Sequence, residues 1–178
     1  MKGNMADYFT NFSLILRLTK EQQEYALNLV KEVEAYRNEN QQLPIDFPAS
    51  LRDEVENWVF ETELAKDGIW LHSQYGGQEV VCQFIQHLLQ KYDFAPSVSF
   101  EWSHDCSQPR TDAFGGGAAF ITAIEVKLFS TSEWLQNLSK ELPAKPTKEH
   151  LFSPNTHLCV KCGIHADDDL VENSPCTH

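Results

Sequence analysis

A chain of 178 residues with 42% hydrophobic side chains and eleven Phe has enough apolar surface for one buried core and too little length for two full-sized domains. Its net charge of -12, from 26 acidic and 14 scattered basic residues, disfavours direct binding to nucleic acid, because affinity for phosphates comes from clustered Lys and Arg displacing counterions. No run reaches the roughly 18 apolar residues that a membrane span needs, and the first residues lack the apolar core of a signal peptide. The expectation is an acidic cytoplasmic protein without a membrane or nucleic-acid partner.

Asn11 to Leu18 alternates apolar and polar residues, as a half-buried strand does. Thr19 and Gln22 then form a capping box, and Tyr25, Leu29, Val30, Val33 and Tyr36 follow at helical spacing to about Arg37. Residues 38–50, with Pro44 and Pro48, read as a surface loop. Trp58 to Ala65 and Ile69 to Ser73, joined by Asp67-Gly68, predict a β-hairpin. After Gly76-Gly77, an apolar stripe from Val80 to Tyr92 predicts a second helix. Val98, Phe100 and Trp102 mark another strand, and Ala118 to Phe129 supplies one long strand or a hairpin bent near Ala123. Ser130 and Glu133 cap a last helix carrying Trp134, Leu135 and Leu138.

The order β-α-β-β-α-β-(β)-α predicts an α+β domain over residues 6–141. Its expected form is a ferredoxin-like split β-α-β sandwich, with one antiparallel sheet and both main helices on one face. Residues 142–156, with Pro143, Pro146 and Pro154, read as a linker to a Cys/His tail over 157–178.

Five cysteines, three of them within the last twenty residues, do not match the paired framework of a secreted scaffold. Cys159-Val-Lys-Cys162-Gly163 can grip one zinc ion from a tight turn, with Cys176 as third ligand and His178, His165 or His157 as fourth. His178 is the favoured fourth ligand. The competing readings are an unstructured tail and a redox Cys-x-x-Cys, although no strand-to-helix junction surrounds the pair.

A second candidate region runs from Glu101 to Gly117. It could hold a thiol nucleophile (Cys106), a base (His104) and an anion clamp made by Arg110 with backbone N-H groups of Gly115, Gly116 and Gly117. Glu101 and Asp112 complete that ligand-binding set. The plainer reading makes the glycines a tight strand entry, pairs Arg110 with Asp105 or Asp112, and packs Cys106 as a small apolar residue. Trp58, Trp70, Trp102 and Trp134 read as core or sheet-face residues. Cys82 reads as a buried thiol. Asp53, Glu54, Glu56, Glu61 and Glu63 form an acidic edge that is either solvated or a protein-binding patch.

The segment Phe100-Glu-Trp-Ser-His-Asp-Cys-Ser-Gln-Pro-Arg-Thr-Asp-Ala-Phe-Gly-Gly-Gly resembles a group of small uncharacterised proteins of bacteria and phages, over about Ala6 to Leu135. That resemblance implies no activity. The tail is loosely similar to a zinc knuckle, with His where the second pair would carry Cys. Because no recognisable catalytic constellation stands out, the leading expectation is a non-enzymatic protein-binding or regulatory protein with structural zinc. The rivals are an acidic nucleic-acid-mimicking inhibitor of a host enzyme, and a small ligand-binding protein or thiol enzyme centred on residues 101–117.

Overall fold

The computed structural model describes residues 6–108, 110–111, 113–141, 151–163, 165–167 and 176. The chain divides into two compact units, residues 1–135 and 136–178. The first is an α+β unit around one antiparallel sheet. Its elements are β1 (Tyr8–Arg17), α1 (Lys20–Glu39), a short α2 (Ala49–Arg52), a 3-10 turn (Val55–Asn57), β2 (Glu61–Ala65), β3 (Gly68–Ser73), α3 (Gln78–Tyr92), β4 (Val98–Cys106), β5 (Gly115–Ile121) and β6 (Val126–Ser130). The last helix, α4 (Thr131–Glu141), starts in this unit and crosses the boundary.

The six strands lie in the order β2-β3-β1-β4-β5-β6. Every neighbouring pair is antiparallel. The period of two along each strand sorts the faces. Phe12, Leu16, Ile69, Leu71, Phe100 and Ile121 enter one buried cluster with Ala26, Leu29 and Val33 of α1 and Val81, Phe84, Ile85 and Leu88 of α3. The next residues along the strands, among them Ser13, Ile15, Glu101 and Phe120, stay exposed on the other face. Burying the apolar stripe of each helix on the first face supplies most of the driving force, at about 1.5–3 kcal/mol for each large side chain fully removed from water.

Local signals match the observed boundaries closely. Thr19 caps α1 with both halves of the capping box formed, and Asn40 closes the helix in the left-handed region. Ser130 Oγ accepts from Glu133 N at the start of α4. The expected hairpin forms, but its turn is Lys66-Asp67, one residue before the expected Asp67-Gly68, with Gly68 paired to Ala65 as the first residue of β3, and the Ala118–Phe129 stretch is a hairpin, turning at Thr122 to Glu125.

Three details differ from the sequence reading. Trp58 is not in a strand: it follows the 3-10 turn, where the Arg37 guanidinium donates to its carbonyl and its ring packs 5.4 Å from Phe84. β4 runs on through His104 to Cys106, because β1 begins at Tyr8 and offers Tyr8 and Thr10 as partners. Trp134 is half exposed on α4, of which no residue is buried, so it belongs neither to the core nor to a sheet face.

Candidate metal centre

Within the second unit, residues 151–163 and 165–166 fold back on themselves through short-range backbone bonds. Val160 N donates to Leu151 O, Ser153 N to Leu158 O, and Ala166 N to His157 O, at 2.8–2.9 Å. Single bridges join Phe152 to Cys159 and Leu158 to His165. Part of the stretch read as linker, Leu151 to Thr156, therefore forms one arm of this turn. The reversal at Pro154-Asn155-Thr156 ends with His157 at φ 55°.

The Cys159-x-x-Cys162 loop closes with Gly163 N donating to Cys159 O at 2.8 Å, and Gly163 itself sits at φ 76°. A side chain there would be strained, so the glycine is what lets the loop turn back under its own thiols. Cys159 and Cys176 are buried and Cys162 is partly buried. Their three sulfurs lie within 4.8 Å of one another, and three thiols so placed could hold a metal ion. Cys159 and Cys176 are 3.8 Å apart, far beyond the roughly 2.05 Å of a disulfide.

Two of the histidines weighed as fourth ligand, His157 and His165, stand outside this group. Their rings lie 6.1 Å from each other, and His165 Nδ1 accepts from Asp167 N at 3.3 Å. His178 lies outside the described residues.

The 101–117 region is divided by its strands. Glu101 points to the exposed face of the sheet, with Ser99 and Ser103. His104 has the opposite parity, and its Nδ1 is 3.0 Å from Thr10 Oγ1. Cys106 shares that parity and is buried, its backbone N donating to Asp105 Oδ1. Arg110 lies over the Tyr8 ring at 5.9 Å. The concavities along this sheet take Glu101 and the glycines into their walls without His104, Cys106 or Arg110. Asp112 lies outside the described residues.

Two of the three glycines have a packing explanation. Gly117 pairs with Trp102 across the β4–β5 ladder, and a Cβ there would strike the Trp102 ring and the Phe129 carbonyl; at Gly116 it would strike the Trp102 carbonyl. Gly116 also exchanges hydrogen bonds with Thr131 Oγ1 at 3.0 and 3.1 Å, whereas a Cβ at Gly115 would come no nearer than 3.3 Å to Thr131 Oγ1.

Sequence reasoning passed over a different set. Trp70 and His72 stack at 3.9 Å on the exposed face, and Trp70 Nε1 donates to Ser13 Oγ at 2.8 Å. Their alternation with Ile69, Leu71 and Ser73 was the available signal. It became informative only once the strand order put Asn11, Ser13 and Glu101 beside them. No helix among the described residues is long and apolar enough to cross a membrane. No family model, curated protein or solved structure matches this chain.

Proposed function

We propose that the chain is a non-enzymatic protein-binding or regulatory module whose C-terminal segment is fixed by one structural zinc ion. The sulfur spacing carries the metal reading. Zinc with bonds of about 2.3 Å to sulfur sets tetrahedral ligands about 3.8 Å apart, and Cys159 and Cys176 stand at 3.8 Å. Three thiolates and one imidazole, with His178 as the fourth ligand, suit zinc, which tolerates mixed S and N donors and has no redox demands. Four protein ligands leave no position for water, so the ion would hold structure rather than activate a nucleophile. A reducing cytoplasm would keep these thiols available.

The binding half of the proposal rests on the sheet. We read β1–α1–β2–β3–α3–β4 as a ferredoxin-like unit with β5 and β6 appended, since its strands stand in the order β2-β3-β1-β4. One face of that sheet carries the helices and the other is left to partners. The burial of Cys106 favours this over a thiol-catalytic loop.

Elemental analysis of protein purified without chelator should find close to one zinc per chain, and Cys159→Ser should remove it. Zinc-free protein that takes up no added Zn²⁺ under reducing conditions would end the metal reading.

A further inference from the structure

The face of the sheet opposite α1 and α3 is not flat. At the middle of its central strand β1 the side chains on this face are small, Asn11 and Ser13, while the larger Ile15 stands at one end beside Trp70. Trp70 and His72 of β3 rise on one side, and Glu101 and Ser103 of β4 on the other. The result is a trough of about 660 Å³ lying over β1.

Its two walls differ in chemistry. The β3 wall is an aromatic shelf, with the indole and imidazole stacked at 3.9 Å and the indole held in place by its bond to Ser13. The shelf is therefore pre-oriented before any ligand arrives. The β4 wall presents Glu101, an exposed carboxylate that makes no ion pair or side-chain hydrogen bond among the described residues. Glu63 adds a second carboxylate behind the shelf, 3.5 Å from His72 Nε2, an atom that is itself buried without a hydrogen bond.

An aromatic face opposed by an unpaired carboxylate is a receptor for a cation. The ring quadrupole attracts a guanidinium or ammonium laid on it, and the carboxylate pairs with the same group from the other side. Arginine fits better than lysine, because its planar guanidinium can stack on the indole and still present its forked donors to Glu101. Charge on the face points the same way. Glu61, Glu63, Glu101 and Asp105 outnumber Arg17 and Lys127, and Lys127 is already paired with Glu125 at 3.3 Å. A nucleobase could also stack on Trp70, but its phosphates would meet Glu101 and a chain of net charge -12. A second copy of the chain would bring the same charge with it.

We propose that this trough binds an arginine side chain of a basic peptide segment on a partner protein, the guanidinium lying on Trp70 and paired with Glu101. This rests on the protein-binding reading above and names the chemistry of its partner.

The test titrates the full, metal-loaded chain with a tetra-arginine peptide, a tetra-lysine peptide and a short oligothymidylate, following the indole N-H signal of Trp70 by NMR. That signal is assigned from Trp70→Phe. Tetra-arginine should shift it saturably and bind more tightly than tetra-lysine. Glu101→Gln, an isosteric change at an exposed site, should weaken binding at least about fivefold, while Glu125→Gln, which removes the same charge elsewhere, should not. Equal binding to both variants, or no shift of Trp70, overturns the proposal. So does a Trp70 shift with the oligothymidylate alone, or one driven only by protein concentration, which would mark a nucleic-acid or a self-association surface. A partner captured equally by wild type and Glu101→Gln overturns the trough and leaves the protein-binding reading standing.

Discussion

The two units of this chain reach order by different routes. Residues 6–135 bury Phe84, Leu88, Ile69 and Leu71 completely, and that apolar burial stabilises the sheet and helices without help. Among the described residues of 151–176, the buried side chains are the two thiols Cys159 and Cys176, while Leu151, Leu158 and Val160 are exposed. The described residues of this segment bury too little apolar surface to repay its chain entropy. Three thiols that could hold a metal ion stand where a core would be, and on the proposed metal reading they take its place as ligands.

Metal removal should separate the units most sharply. For zinc-dependent peptides of similar size, metal binding is worth about 10–16 kcal/mol at neutral pH and is the folding free energy itself. A strong chelator should therefore abolish the amide dispersion of residues 151–167 in NMR spectra and leave that of α1, α3 and the sheet. Phe84→Ala should do the reverse. It empties a fully buried site packed against Trp58 and Phe60, costs about 3–5 kcal/mol in chemical denaturation, and leaves metal content unchanged. Loss of both units in either experiment would break the comparison.

A smaller effect sharpens the account of the glycines. Gly117→Ala should destabilise the first unit by about 1–3 kcal/mol, because the new methyl group meets the Trp102 ring and the Phe129 carbonyl. Trp102→Ala in the same background should cost less than in wild type, since the ring clash is gone, whereas a glycine conserving only turn geometry would show no such coupling.

The smallest effect is a pH dependence confined to the first unit. His87 on α3 has its pKa lowered, first by burial and then by the Lys91 charge, and Tyr25 OH lies 2.8 Å from its Nε2. The unfolded chain takes up this proton as pH falls below 6.5, before the folded chain does, so the stability His87 contributes is present above that pH and lost as pH falls through the lowered value. His87→Gln should flatten the decline in melting temperature over that range. An unchanged slope would assign the decline to other groups.

How much of this could be read beforehand depended on the range of the signal. The cap at Thr19, the stripe of α3 and the Cys-x-x-Cys-Gly loop are all set within a few residues and appear where expected, and the β2–β3 turn falls one residue from its expected place. Trp58 and the far end of β4 depend on partners at Arg37 and Tyr8, tens of residues away. Local alternation carries no information about them.

The sequence by itself determined the class of elements, their order, the acidic surface and the clustering of three thiols in one short segment, because periodicity, capping and chain proximity are local physics. Only the tertiary structure decided that β4 runs on to put His104 and Glu101 on opposite faces, that Gly117 makes room for Trp102, and that Trp70 and His72 line one trough with Ser13 and Glu101. Those relations arise from the order β2-β3-β1-β4-β5-β6, in which strands distant in sequence become neighbours and the chemistry of the exposed face is assembled from three of them.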